Sequence, residues 1–363
     1  MKRIVILYPA FFEQSNGGAE LQISYLCQAL MNAGYEVHYI YEEKGKPIEN
    51  KLNLILHPLA KKKIVRFCGK GWFRYRTEIN RMLSCINPDV IYTRLGSSWI
   101  DVASKYAQQH HIRYVHALAS NKDVNRSIFT SFFPLFQPIE NFYINRGLRH
   151  CTLSIAQNTW QKEMFEHKFH KQCVLINQFT PFVDESSIHK DTRPIRILWI
   201  ANFKTLKRPE LFVNLAKRLS KYASMIKMEM YGRSTTADLQ LLKEIQDIPW
   251  LEYKGEVPTE EMLGALAKSH LLISTSQYEG FSNTFVQAWM RKVPVISMGS
   301  NPNDIFSRLK VGYYEPNFEK MVQCVEKLIE NEDSIQTMGE LSYQYAVGNH
   351  SLESNLPKIL NVL

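Results

Sequence analysis

The sequence predicts an α/β protein of two doubly wound parallel-sheet domains, and three observations carry that expectation. At 363 residues the chain is long enough for two domains, each burying a core of its own. Its apolar segments are short runs with little alternation, as expected of strands covered on both faces. A strand–loop–helix–strand order opens at residue 3 and restarts at residue 195, after a polar, proline-bearing stretch.

Residues 3–8 read as the first strand. The loop after it carries Gly17, Gly18 and Glu20 and enters a helix with Leu26, Ala29, Leu30 and Ala33 at helical spacing, ended by Gly34. Glycines at such a turn suit a phosphate, but G-x-G-x-x-G is absent and a tight turn explains each glycine equally well. Residues 37–41 and 52–57 are further strands. Residues 61–76 then hold seven basic residues and no acid, with Phe67, Trp72, Phe73 and Tyr75 interleaved. An anionic membrane surface, stacked nucleic-acid bases or a solvated loop before a helix all fit that composition.

Residues 90–93 form a strand, followed by Arg94 and a helix capped by Ser97 or Ser98 that runs to about His110. The strand at 113–116 ends on His116, at the sheet edge where doubly wound folds present groups to ligands. Residues 125–143 are rich in phenylalanine around Pro134 and Pro138. They read as a broken core helix or as a greasy surface, with the core preferred. Strands at 152–156 and 174–176 close the first sheet.

Residues 181–194 are polar, bear Pro181 and Pro194, and read as an interdomain linker. Strands follow at 195–200, 227–232, 251–255, 270–274 and 295–298. The helices between them include one opening at Pro209, a favourable first position, and two at 238–247 and 260–269. Later helices are expected at 318–330 and 333–347, the second with Asp333 and Gln336 in capping-box spacing, and residues 348–363 form a C-terminal helix.

Residues 274–298 organise this half. A strand runs through a polar turn into a helix whose first turn holds Gly280, Ser282, Asn283 and Thr284, an arrangement that offers free N–H groups to an anion. Glu279 stands just before them. A carboxylate there repels phosphate, so it reads as an acceptor for hydroxyl groups, and a phosphate beside hydroxyls outlines a nucleotide sugar.

Bulk properties exclude some classes. No apolar run approaches twenty residues, so no membrane-spanning helix is expected. The apolar start after Lys2 and Arg3 holds Pro9 and lacks a small-residue cleavage site, unlike a signal peptide. Six cysteines without metal or redox spacing read as reduced thiols of a cytoplasmic protein. The net charge of +9 is compatible with nucleic acid, an anionic membrane or phosphorylated substrates. No D-x-D carboxylate pair is present to hold a metal on a diphosphate.

The run Glu279-Gly280-Phe281, with a polar residue eight positions after the glutamate, resembles the signature of retaining GT-B glycosyltransferases of the family 4, or glycosyl transferases group 1, type. That family has a second glutamate where this chain has Gln287, whose amide oxygen still accepts hydrogen bonds, without charge. In the loop at 201–208 the family carries an arginine and, five residues on, a lysine. Lys207 falls on the lysine, Asn202 stands at the arginine, and Lys204 or Arg208 are candidates for the missing charge.

The resemblance covers essentially the whole chain and is strongest from residue 195 to 298. It implies a GT-B fold, two Rossmann-like domains facing across a cleft. Residues 1–180 would bind the acceptor, 195–347 the nucleotide-sugar donor, and 348–363 would return to the first domain. The catalytic assignments it implies are Glu279, His116 and Lys207. Donor binding falls to Gly17, Gly18, Asn202, Lys207, Gly255 and Glu256, and to Gly280, Phe281, Ser282, Asn283, Thr284 and Gln287. Glu20 and Arg94 face the acceptor, a glycan or lipid-linked precursor of a bacterial surface polysaccharide.

No metal and no cofactor beyond the donor is implied. Peripheral contact with an anionic membrane through 61–76, at the inner face of the cell membrane, is the expected partner surface, and nucleic acid is not expected. Two other readings stay open: a non-catalytic binding subunit, suggested by Gln287 and Asn202, and a nucleotide-sugar epimerase of the same architecture.

Overall fold

The computed structural model describes residues 1–15, 17–60, 72–125 and 137–363. They form two compact units: Met1–Gln178 together with Asn355–Leu363, and Phe179–Ser354.

The first unit is a parallel sheet of seven strands: β1 (Arg3–Leu7), β2 (Glu36–Glu42), β3 (Ile55–Leu59), β4 (Val90–Arg94), β5 (Arg113–Ala117), β6 (Leu153–Ala156) and β7 (Cys173–Leu175). They lie in the order β3-β2-β1-β4-β5-β6-β7, so the chain builds outward from β1 one way and from β4 the other. The gap between the ends of β1 and β4 is the switch point at which such sheets bind ligands. Ile4, Val5, Ile6 and Leu7 are all buried, as a strand between two covered neighbours requires.

Two helices of this unit, Trp99–His110 and Gln137–Arg149, approach so closely that a Cβ on Gly147 would stand 2.7 Å from the Asp101 nitrogen. Arg146 reaches from one to the other and holds the buried Asp101 carboxylate with two bonds of 2.6 and 2.7 Å. The C-terminal residues close the unit: Lys2 Nζ donates to the Leu363 carbonyl at 2.9 Å and Arg113 Nε to that of Val362 at 2.8 Å.

The second unit is a parallel sheet of six strands: β8 (Ile195–Ile200), β9 (Ile226–Tyr231), β10 (Leu251–Gly255), β11 (Leu271–Ser274), β12 (Val295–Ser297) and β13 (Gly312–Tyr314). Its order is β10-β9-β8-β11-β12-β13, which puts the switch point between β8 and β11. Trp199, Phe212, Met228 and Met230 fill the core on one face of this sheet, and Phe285, Trp289 and Val295 belong to a second cluster.

Several expectations change on contact with the structure. Residues 181–194 do not stand free between units. Val183 O accepts from Tyr343 Oη at 2.8 Å, Asp191 O bonds the His270 ring at 2.8 Å, and Lys190 Nζ donates to Lys292 O at 2.6 Å, so the segment belongs to the second unit. Strand β13 was not anticipated, because three residues on a sheet edge, two of them exposed tyrosines, carry no apolar run.

The long helix Glu332–His350 is capped by Asn331, whose side chain accepts from Ser334 N at 3.3 Å, rather than by Asp333. Tyr75 of the basic stretch is buried against Trp99, with ring centroids 5.4 Å apart, while Phe142, expected in the core, is exposed under the Arg146 guanidinium. Most of the 61–76 membrane expectation, and the stretch 126–136, lie outside the described residues. Among the described residues, no helix is long and apolar enough to cross a membrane.

Candidate active site

At the switch point of the second sheet, two loops rise from neighbouring strand ends. The loop after β8 turns through Lys204 to Arg208, where Arg208 is left-handed at φ 49 before the helix Pro209–Arg218. The loop after β11 carries Thr275 to Ser282. They are stitched together by Thr275, whose hydroxyl donates toward the carbonyls of Lys207 and Arg208 at 2.7 and 2.9 Å and accepts Trp199 Nε1 at 2.8 Å. Arg208 Nε returns to Thr275 O at 2.6 Å and its Nη2 to Ser276 O at 3.1 Å, and Gln277 N donates to Leu206 O at 2.8 Å. Arg208 is therefore a brace between loops, not the spare charge for a ligand. Lys204 is exposed.

The bracing brings Lys207 and Glu279 together. Lys207 Nζ lies 2.7 Å from Glu279 Oε1, and the same oxygen accepts from Ser276 Oγ at 2.7 Å. Gly299 keeps this turn in place: a Cβ there would meet Ser276 O at 2.1 Å and Gln277 O at 2.2 Å, so only glycine lets the next loop lie against it.

The remaining expected donor residues divide. Asn202 Oδ1 is taken by Arg233 N at 2.9 Å, so what its amide has left to offer a ligand is the NH2. Gly255 is left-handed at φ 74, and its carbonyl accepts from Gly232 N at 2.8 Å, while Glu256 beside it is exposed. Gly280 precedes the helix Asn283–Trp289, whose N-cap is Ser282; the Ser282 hydroxyl bonds Thr284 Oγ1 at 2.7 Å instead of a backbone N–H. Asn283 and Thr284 are half-buried on its first turn.

Two side chains are less available than expected. Phe281 is core, packed 4.9 Å from the His350 ring and 6.2 Å from Trp289, so only its backbone can face a ligand. Gln287 is 2% exposed, and its Nε2 has no hydrogen-bond partner among the described residues.

In the first unit, Gly17, Gly18 and Glu20 follow β1 and Arg94 ends β4, beside the switch point, while His116 lies on β5. Gly17 caps the helix Gly18–Asn32, and the Glu20 carboxylate folds back over it: a Cβ on Gly17 would stand 2.3 Å from Glu20 Oε2. Glu20 also accepts from Ser15 Oγ at 3.3 Å and engages the Tyr8 hydroxyl. Burial and then the Glu20 charge push the Tyr8 phenol far above its usual range, with Arg94 opposing.

Arg94 ends β4 and is buried, with Nη1 3.4 Å from Tyr92 Oη. His116 is fully buried on β5 and its Nδ1 bonds Thr93 Oγ1 at 2.8 Å, the same hydroxyl that meets Tyr114 Oη at 2.9 Å. Asp123 accepts from Gly96, Ala119 and Ser120 N–H groups at 3.1, 2.9 and 3.0 Å, tying the loops after β4 and β5. Sequence reading missed Tyr8, Tyr92, Thr275 and Ser276. Tyr8 and Thr275 could have been found, since each directly follows a strand that borders a switch point.

Family models match both units: one described as glycosyl transferases group 1 over residues 194–331, and one described as glycosyltransferase family 4 over 16–178. The chain belongs to the group 1, family 4 glycosyltransferases. A curated relative, the poly(ribitol-phosphate) alpha-N-acetylglucosaminyltransferase of Staphylococcus aureus, is 28% identical to this chain over 171 residues. That match covers 45% of this chain and 34% of the relative, so the chain spans about a third of the relative's length.

Solved structures are similar over the whole length. Sucrose-phosphate synthase from Thermosynechococcus elongatus superposes with a TM-score of 0.78 at 13% identity, covering 100% of this chain and 98% of that one. Anabaena HepE, solved with UDP and glucose, gives 0.75 at 12% identity with 99% of each chain covered. Staphylococcus aureus TarM, solved with fondaparinux, alpha-GlcNAc-glycerol and UDP, gives 0.75 at 14% identity, covering 100% and 99%. The glycosyltransferase has the GT-B fold, with two parallel α/β units of seven and six strands.

Proposed function

We propose that this glycosyltransferase moves a sugar, with retention of anomeric configuration and without a metal, from a nucleotide-sugar donor to a hydroxyl of a glycan or polyol-phosphate precursor of a cell-surface polymer. The observation that carries the reading is the Lys207–Glu279 pair at the β8/β11 switch point, 2.7 Å apart on loops braced by Thr275 and Arg208. A lysine there neutralises the departing diphosphate, together with loop amides. Glu279 accepts hydrogen bonds from sugar hydroxyls, and in a front-face displacement the leaving phosphate takes the acceptor's proton, so no tuned protein base is needed.

The donor class is supported by the UDP held in the HepE and TarM structures, and the acceptor class by the polyol-phosphate named for the curated relative. His116, Glu20 and Arg94 are then the acceptor-side residues, and the cytoplasmic face of the membrane is the place of work. Incubating the full chain with UDP-sugars and a polyol-phosphate acceptor tests this: product with the donor's anomeric configuration, formed equally with EDTA present, is expected. A chain that neither binds nucleoside diphosphates nor hydrolyses any donor is not a transferase. The second reading, a binding subunit, is favoured by Asn202 and by the buried Gln287; it predicts UDP binding without turnover.

A further inference from the structure

Among the described residues, the fold leaves Arg94 at the first unit's switch point electrically unfinished. Its side chain is 6% exposed, yet its single hydrogen bond among the described residues is the 3.4 Å contact with Tyr92 Oη, and its Nε has no acceptor. A guanidinium carries five N–H donors and stays charged at any relevant pH, so burying it with one long bond is strongly unfavourable. Protein arginines in this position are normally matched by a carboxylate in a two-bond fork, as Arg146 is by Asp101 at 2.6 and 2.7 Å.

Two carboxylates of the segments that follow β1 and β5 do not fill that role. Glu20 engages the hydroxyl of Tyr8, which directly follows β1, and Asp123 bonds the N–H of Gly96, two residues after Arg94. Asp123 is spent on three backbone N–H groups, and Glu20 lies over Gly17 against Ser15 and Tyr8. Neither forms an ion pair with Arg94 among the described residues. Arg94 at the end of β4 and Tyr8 just past the end of β1 thus stand on adjacent strands, where this kind of sheet receives ligands, with Tyr92 two residues before Arg94 on β4.

We infer that Arg94 holds an anionic group of the acceptor, a phosphate or a carboxylate, so that the acceptor class is a charged hydroxyl compound. This rests on the reading of the chain as a transferase, and it specifies what the first unit selects. The planar fork of Arg94 receives two oxygens of the anion, and the Tyr92 phenol, which accepts from Arg94, keeps its O–H to donate to a third. A neutral sugar alcohol leaves the guanidinium unmatched and binds weakly.

Calorimetric titration of the full chain with glycerol 3-phosphate, glycerate and glycerol tests the inference. At least one of the two anions should bind about tenfold or more tighter than glycerol, the size of a charge-assisted contact, and which one binds tells phosphate from carboxylate. Arg94→Met should lower that affinity by about ten- to a hundredfold while raising the melting temperature, because an unmatched buried charge is removed. Arg94→Lys, which keeps the charge and loses the fork, should fall between.

Equal binding of glycerol and both anions overturns the inference, and so does an Arg94→Met variant that binds the anion like the wild type. A lower melting temperature, or failure to fold, in Arg94→Met also overturns it, since the guanidinium would then already have partners. Titrating the wild type with UDP separates the two levels. Anion binding without UDP binding sinks the transferase reading and keeps the Arg94 site; UDP binding without anion binding sinks only the Arg94 inference.

Discussion

The two switch points are built on one plan and treat charge in opposite ways. Between β8 and β11, Lys207 and Glu279 meet at 2.7 Å on loops held by Thr275 and Arg208. Between β1 and β4, Arg94 has no counter-ion among the described residues, and Glu20 is satisfied by hydroxyls. A paired site holds its groups in position before the ligand comes, but the ligand must exchange one good bond for another. An unpaired buried cation raises the free energy of the empty state, and an arriving anion relieves it. The first arrangement favours geometry, the second favours selectivity for charge.

Breaking the pair should have the largest effect. Lys207→Ala removes a preorganised contact and strands Glu279, so kcat for transfer should fall by at least about a hundredfold. The double variant Lys207→Ala/Glu279→Gln should be little worse than the poorer single one, because residues acting as a unit are not additive. Initial rates on one purified acceptor decide it. If the two losses multiply, the residues work independently and the contrast with Arg94 collapses.

Gln287 sharpens the comparison from the other side. A carboxylate in its place would accept ribose hydroxyls more strongly, which favours Gln287→Glu when donor is bound. With only 2% exposure, however, that carboxylate is poorly hydrated when the site is empty. The expected outcome is a ligand-free protein less stable by about 1–3 kcal/mol and a larger melting shift on adding UDP. An unchanged melting temperature without ligand would mean that water reaches the side chain.

The smallest effect concerns Lys190, half-buried in the segment against Lys292, where burial first and the Lys292 charge second push its ammonium down to about 7. Because its folded pKa lies below the unfolded value, the unfolded chain binds more protons above pH 7. Stability therefore rises with pH from about 7 toward the unfolded lysine value. Melting curves at pH 6.5 and 8.5 should show the wild type gaining on Lys190→Met at the higher pH. A constant difference would mean that Lys190 titrates like a surface lysine.

Much of the fold could be read because its strands are buried on both faces and announce themselves as apolar runs; Ile4 to Leu7 and Ile195 to Ile200 are the clearest. Strand β13 and the helix Ile305–Leu309 were invisible, being short and dependent on their neighbours for burial. The site residues were legible as positions after strand ends, but their partners were not. Nothing in the spacing of Lys207 and Glu279 says that they touch, since 72 positions separate them and only the pairing of β8 with β11 sets the distance. Arg208 and Phe281 show the converse error: each lies beside a candidate position, and tertiary packing turned one into a brace and the other into core.

Residues 355–363 make the first unit discontinuous in sequence. They bond the starts of its interior strands β1 and β5, where Lys2 and Arg113 donate to the carbonyls of Leu363 and Val362. The first unit therefore draws on two stretches of chain separated by the whole of residues 179–354. A nonsense mutation or a proteolytic clip near residue 354 would leave the loops after β8 and β11 in place while stripping the first unit of both contacts.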